Sequence, residues 1–507
     1  MSANTIEPIG ANRLSHAAVA LCAVLIALPW FWPLLLGPLP AMWSNLFAWT
    51  MGALLIVLLP AARERAGLAT ASGWLLAALG SAVLGLLQYF DLENSFYPWV
   101  APTRPGLVTA NVHQLNMLAT LLAVGLLCVW WMVVKRCLST FHATWMAGVL
   151  LVVIAATASR TGMVHLIAIS CLLLYWHARD WRRVLLILVI AWAVFAIAAN
   201  SLPWLAWVTR GIVIERDLLG RFGEDVGCHS RRLLWDNVID LIAMKPWTGW
   251  GAGELLYAHY ITDFADRRFC DKLSNAHNLP LQLAVTMGVP VAVLASSLFV
   301  WTLLKLKPWA ATHPLARLCW GVLGLIGVHS LLEYPMWFGV FQVMGLLASW
   351  HIFRKWREQG DSALVDVSRS LSSRIVASGA ILMALSFVAW DYVKISQLYL
   401  PEPMRLERYR SETLEKTRTS WLFQSYVLIA QITTLELKPE NASLVLDASL
   451  ASLHVAPDSQ VIRRVIESAA LLGRTDLVNL HVARYKAAWP KEYAEWIELQ
   501  KAAAAAR

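Results

Sequence analysis

Residues Leu115–Val134 read LNMLATLLAVGLLCVWWMVV, a run of twenty positions without one charged side chain. At 1.5 Å of rise per residue, such a run as a helix matches the roughly 30 Å hydrocarbon core of a bilayer. Helix is the conformation that fits, because lipid offers no partner to an unpaired backbone group. Similar blocks lie at 184–199 and 289–304. The rest of the chain agrees: 58% of 507 residues are hydrophobic and 15% charged, against about 25% charged in a soluble domain. Mean hydropathy is +0.56. Many of the 27 tryptophans stand at block ends, where an amphipathic ring suits the headgroup layer.

Runs of this kind along the chain predict an all-α polytopic transmembrane helical bundle of about 11–12 spans. We read them at 17–36, 44–60, 68–88, 112–134, 142–158, 162–177, 184–200, 277–304, 315–331, 335–353 and 374–392. The first block lacks a small-residue cleavage site and further blocks follow at once, so it reads as a span and not a cleaved signal peptide. With the N-terminus inside, Arg13, Arg63, Arg65, Lys135, Arg136, Arg179, Arg182, Arg183, Lys305, Lys307, Arg317, Arg354, Lys355 and Arg357 fall in inside loops. The short outside connections hold Arg104 and Arg160. That asymmetry sets the orientation and accounts for the net charge of +9 without a nucleic-acid partner.

Four parts follow: N-terminal spans 1–200, a large periplasmic loop 201–276, C-terminal spans 277–392 and a periplasmic tail 393–507. A shorter outer loop, 89–111, is stiffened by Tyr97, Pro98, Pro102 and Pro105. In the tail, 461–472 and 475–489 carry apolar residues at helical spacing around Gly473, which predicts a helical hairpin with Asp458 and Asp476 as N-caps. Of seven cysteines, Cys228 and Cys270 fall in the large outer loop, where an oxidising compartment allows a bridge.

No phosphate-binding loop, dinucleotide fingerprint, nucleophile elbow or metal-spaced His/Cys pair occurs, so neither cofactor nor metal is expected. What stands out is polar chemistry at the outer ends of spans, where ionisable groups are expensive. Arg160, in Thr157-Ala-Ser-Arg-Thr-Gly162, could grip a phosphate with its planar fork or simply snorkel to the interface. His329 and Glu333 stand at i and i+4 before Pro335; on a continuing helix they share a face, fit to activate a hydroxyl or to cap a hairpin. Arg231 and Arg232, in Ser230-Arg-Arg-Leu-Leu-Trp235, suit an anion. The glycine-rich 246–253 permits close backbone approach or makes a turn. His277 and Asn278 open a span and could bind substrate or cap it. Asn111, His113, Gln114 and Asn116 crowd another span's start, suiting sugar hydroxyls or an N-cap with interfacial polars equally well. Apart from His165, no charged residue lies near the middle of a span.

In this order, Asn-x-x-Gln-Leu-Asn at 111–116, Ser159-Arg160, Arg231-x-x-Leu-Trp235, 246–253, His277-Asn278 and 329–335 resemble the O-antigen ligases, O-antigen polymerases and protein O-oligosaccharyltransferases. The loop with Tyr97-Pro98 and Arg104-Pro105, the Asn/Gln cluster and the helical tail resemble the protein-glycosylating branch most. His113 departs from the pattern, which carries Pro or another small residue there. The resemblance implies a glycan donor on undecaprenyl pyrophosphate, taken from membrane lipid, and an acceptor hydroxyl in the periplasm of a bacterial inner-membrane protein. The acceptor would be a serine or threonine of a pilin-like protein, or else a lipid A–core sugar or growing glycan. Arg160, Arg231 and Arg232 would hold the pyrophosphate, and His329 with Glu333 would activate the acceptor. Asn111, His113, Gln114, Asn116, His277, Asn278 and Tyr334 would contact substrate. A transporter using the same charges is a third reading, and it lacks matched interrupted helices.

Overall fold

A computed structural model describes residues 9–34, 37–60, 62–214, 227–359 and 371–505. Part of the long polar insertion, 215–226, lies outside them, as do 506 and 507 of the alanine-rich end. Among the described residues there is no strand. In chain order the first helices are α1 (Ile9–Ala27), α2 (Met42–Leu58), α3 (Arg63–Tyr89), α4 (Leu115–Val134), α5 (Thr140–Ala156), α6 (Arg160–Trp176) and α7 (Trp181–Arg210). Next come α8 (Arg231–Met244), α9 (Leu255–Ile261), α10 (Leu279–Met287) and α11 (Val289–Leu306). Then follow α12 (Pro314–Ser330), α13 (Gly339–Gln359) and α14 (Leu371–Ser396). The tail holds α15 (Thr413–Thr417), α16 (Gln424–Thr434), α17 (Ala442–Leu453), α18 (Ser459–Leu471), α19 (Thr475–Ala488) and α20 (Pro490–Ala505). Among the described residues, α3, α4 and the helical stretches containing α7, α11 and α14 are long and apolar enough to cross a membrane. Shorter apolar helices include α2, α5 and α6.

The chain divides into two compact units. The first comprises 1–35, 39–222 and 306–386; the second comprises 36–38, 223–305 and 387–507.

In the first unit α4 is buried almost all round, packed by α3, α5, α6 and α12. That is the expected place for a helix apolar on every face. Close approach depends on α3, whose Ala69, Gly73, Ala77, Ser81 and Gly85 recur at every fourth residue. A Cβ on Gly73 would meet Ala23 O at 2.9 Å, and one on Gly125 of α4 would meet the Ala78 Cβ at 2.6 Å. Such small-residue stripes let membrane helices pack where no hydrophobic force separates helix from lipid. At one end of the unit, Glu64 pairs with Lys135 at 2.9 Å and His313 at 3.8 Å. The start of α4 and the end of α12 lie at the other end, where the polar residues gather. There the buried Gln88 holds the 89–111 loop: its amide donates to Ala101 O and Ala110 O and accepts from the Thr109 and Ala110 N–H groups.

Three expectations need correction. The 277–304 block is not one span: it breaks at Gly288 (φ +91) into α10 and α11. A Cβ there would meet Trp247 O at 2.2 Å, so the break exists to let the glycine-rich 246–253 lie against it. Trp250 N–H donates to Val285 O, Gly251 N–H to Thr286 O and Val289 N–H to Pro246 O. Second, α7 runs past 200 to Arg210 with Pro203 inside it. Its end is fixed by Gly211 (φ +68) and by Arg210, which donates to Phe90 O and Asp91 O. Third, Asp476 does not cap α19; it pairs with Arg474, itself the capping position, at 2.9 Å. Asp458 does cap α18, accepting from the Gln460 and Val461 N–H groups.

In the second unit, α8, α9 and α10 close over Leu234, Val238, Leu241, Ala258 and Val285. Cys228 and Cys270 are joined by a disulfide, with Cα atoms 5.3 Å apart. The insertion also packs with the tail: Tyr260 of α9 sits in the apolar cluster of α16–α20, and its hydroxyl meets His481 Nδ1 at 2.8 Å. Asp263 and Arg484 pair at 2.8 Å beside it.

Candidate functional site

The first unit brings together residues from four chain segments: the start of α4, the turn before α6, the body of α6 and the end of α12. Asn116 is their hub. Its amide nitrogen donates to Glu333 Oε1 at 3.0 Å, and its amide oxygen accepts from Ser159 Oγ at 2.6 Å. Its backbone carbonyl accepts from Thr120 Oγ1, one helical turn later, at 2.9 Å. Thr120 Oγ1 in turn lies 2.8 Å from His329 Nδ1 and 2.9 Å from His165 Nε2. The two imidazoles have ring centroids 6.0 Å apart, and Phe341 meets His329 edge-on at 6.0 Å. Thr120, His165 and His329 are all 0% exposed and Glu333 is 3% exposed. Bulk water therefore does not compete with these bonds, and each partner is held in one geometry.

Local sequence explains the placement. Ser159 ends the short connection after α5 and caps α6, its hydroxyl accepting from Gly162 N–H at 3.0 Å. Arg160 is thereby the first residue of α6 and half-buried. His329 lies in the last turn of α12. Here the structure corrects the continuing-helix expectation: α12 stops at Ser330, before Glu333, whose N–H donates to His329 O at 2.8 Å. Glu333 thus reaches Asn116 from a turn and not from the helical face assigned to it.

The Asn/Gln cluster separates into different tasks. Asn111 is a staple: its amide accepts from Ala101 N–H and donates to Phe31 O and Trp99 O. Gln114 caps α4, accepting from Met117 N–H at 2.7 Å. His113 adopts a left-handed backbone (φ +60), which is why α4 begins at Leu115 and not at 112. Burial holds its imidazole below the usual histidine range. A cavity of about 230 Å³ opens beside these residues, lined by His113, Gln114 and the aromatic rings of Trp30, Tyr334 and Phe338. Tyr334 and Phe338 stack with centroids 6.1 Å apart. Rings with a few polar groups between them suit a sugar or another amphipathic ligand.

The second unit holds the remaining sequence candidates. Arg231 and Arg232 are the first two residues of α8, capped by Ser230, with Arg232 exposed. Guanidinium groups in a first helical turn oppose the macrodipole, an arrangement that an anion would relieve. Asn278 caps α10, accepting from Leu281 N–H, while His277 has a left-handed backbone (φ +53) and donates its N–H to Asn275 Oδ1. Among the described residues, Cys228, His229 and Cys270 are the group close enough together to hold a metal ion, and the disulfide takes both sulfurs out of that role.

Sequence reasoning missed Thr120 and left His165 without a role. The one available signal was spacing, since Thr120 follows Asn116 by four residues and shares its face of α4.

The O-antigen ligase family pattern matches residues 145–296, and the C-terminal pattern of the virulence factor membrane-bound polymerases matches 317–504. The chain is therefore similar to the O-antigen ligases over one segment and to the membrane-bound polymerases over another. It is an integral membrane protein. The General O-oligosaccharyltransferase of Acinetobacter baylyi is 25% identical over 374 residues, covering 69% of this chain and 62% of that protein. The ComP-specific O-oligosaccharyltransferase of the same organism is 23% identical over 265 residues, covering 52% of this chain and 47% of that protein. The matched region thus spans less than two thirds of either relative.

Proposed function

We propose that this chain transfers a preassembled oligosaccharide from undecaprenyl pyrophosphate to a hydroxyl acceptor on the periplasmic side of the bacterial inner membrane. The acceptor is a serine or threonine of a protein such as a pilin. The observation that carries the reading is the buried His329, bonded through Nδ1 to Thr120 beside the Asn116–Glu333 pair, at the ends of apolar helices. A hydroxyl is a weak nucleophile near neutral pH, and histidine is suited to take its proton there. In the proposed step the acceptor oxygen bonds to the anomeric carbon and its proton passes to His329. The bond from that carbon to the phosphate oxygen breaks, leaving the polyprenyl pyrophosphate. Arg160 balances the charge that develops on the leaving group. The aromatic cavity with His113 and Tyr334 receives the sugar.

That both curated relatives are O-oligosaccharyltransferases favours a protein acceptor over lipid A–core or a growing glycan. Mass spectrometry of periplasmic proteins, with and without the gene, tests it. Oligosaccharide-bearing serine or threonine peptides that vanish with the gene support the reading. Their persistence, with loss of glycan on lipid A–core, would transfer the assignment to ligation.

A further inference from the structure

Thr120 Oγ1 faces three groups at hydrogen-bond distance: Asn116 O, His165 Nε2 and His329 Nδ1. A hydroxyl has one proton to give and two lone pairs to receive. The Asn116 carbonyl can only accept, so the single proton goes there, as in other helices where Thr bonds the carbonyl four residues back. Both lone pairs are then left for the two imidazoles, and both must donate. His165 therefore carries its proton on Nε2 and His329 carries its proton on Nδ1. In the neutral His329 ring the basic lone pair is consequently on Nε2.

A second observation agrees. His165 Nδ1 is buried with no hydrogen-bond partner among the described residues. Buried polar atoms are normally satisfied, and an exception asks for a reason. The reason here is that the Nε2–H of His165 is needed at Thr120. It fills the second lone pair and keeps the hydroxyl from rotating its own proton toward either ring.

We propose that Thr120, held by His165, is a positioning residue that fixes the Nδ1–H tautomer of His329 and so presents Nε2 as the base. The inference rests on the reading of His329 as the group that takes the acceptor's proton. When Nε2 accepts that proton, the acceptor oxygen bonds to the anomeric carbon and the carbon–phosphate oxygen bond breaks. The imidazolium keeps donating its Nδ1–H to Thr120, so no hydroxyl has to turn during the step. Fixing a histidine tautomer through its other nitrogen is a known device, and its loss costs from tens to about 10⁴-fold in rate.

The experiment uses the full chain in membranes, with lipid-linked donor and acceptor, and measures kcat and KM for each substrate. Thr120→Val has nearly the same volume but no hydroxyl. It is expected to lower kcat by about 10²-fold with the donor KM within about twofold of the parent. Thr120→Ser restores the hydroxyl and should recover activity to within a few-fold. A Val variant with parental kcat, beside an inactive His329→Ala, would overturn the tautomer role and leave His329 as the base. An active His329→Ala would instead sink the reading on which the inference rests. Equal losses in the Val and Ser variants, or a loss confined to KM, would make Thr120 merely structural. Should the Val variant not fold, nitrogen-15 shifts of the parent protein decide, with the His329 signal assigned by its loss in His329→Asn. A neutral His329 protonated on Nδ1 is the expected result; one protonated on Nε2 overturns the proposal.

Discussion

Asn116 and Glu333 lie 217 residues apart in sequence and share a hydrogen bond of 3.0 Å, amide nitrogen to carboxylate oxygen. The bond fastens the turn after α12 to the first turn of α4, and Asn116 simultaneously receives Ser159 from the turn before α6. One short amide therefore sets the mutual position of three segments around His329.

That role needs a donor facing Glu333 and an acceptor facing Ser159, which only an amide supplies at this size. Asn116→Asp replaces the donor with a second carboxylate against Glu333, and repulsion should separate the segments. The expected loss of transfer is about 10²-fold or more, near the cost of removing a buried, charge-assisted bond. Glu333→Gln keeps an acceptor for Asn116 and should lose far less. Equal losses in the two variants, measured as glycosylated acceptor per unit of folded enzyme, would contradict this arrangement.

Arg160 begins α6 and is half-buried, where a planar fork differs most from a point charge. Arg160→Lys is expected to lose most turnover while membrane insertion and yield stay normal. The pyrophosphate assignment of Arg231 and Arg232 faces the same test, since Arg231→Lys should also depress turnover if a fork is required there. Full activity in either lysine variant would remove that residue from the assignment.

How much of this was legible beforehand depends on what each residue answers to. Positions such as His329, Glu333, Asn116 and Arg160 are conspicuous because polar groups at the ends of apolar blocks are costly wherever the chain goes. Their partners are not legible, since a bond between Asn116 and Glu333 is a property of tertiary packing. Thr120 is quieter still: a threonine inside a span ordinarily bonds its own helix, and here it does that as well. Gln88 and Asn111 look like interfacial polar residues, yet each spends its amide on backbone groups of the 89–111 loop. Helix boundaries went astray where a non-local contact decides them. Gly288 breaks a continuous apolar block because Trp247 needs the space, and Pro203 fails to stop α7.

The bridge between Cys228 and Cys270 closes a segment with a sequence separation of 42. In the chain-entropy description a loop of that size contributes about 4 kcal/mol by restricting the unfolded chain. Replacing both cysteines with serine should lower the melting temperature of the full-length protein and speed proteolysis near 223–276. The helices of the first unit should melt as before. No change in either readout would show that packing around Leu234, Val238 and Leu241 suffices to hold this segment.

Acid should loosen the second unit through its buried histidines. Burial lowers His481 to about 4 and His259 to about 3, in both cases with a neighbouring arginine, Arg484 and Arg268 respectively, adding to the effect. Both therefore stay neutral in the folded protein over a range where the unfolded chain, with histidines near 6.5, binds protons. The sign follows from linkage: where the unfolded state holds more protons, stability rises with pH. The contribution is complete above about pH 6.5, declines as pH falls below that value and levels off under about pH 3–4. For His481 the span of about 2.5 units corresponds to roughly 3 kcal/mol at the lower end. His481→Phe removes the titrating ring along with its bond to the Tyr260 hydroxyl. That variant should be less stable than the parent at pH 7.5 but lose less on going to pH 4.5. Both can be followed by protease cleavage of the tail in the intact, detergent-solubilised protein. A His481→Phe variant with the parent's full pH dependence would assign the acid sensitivity to other groups.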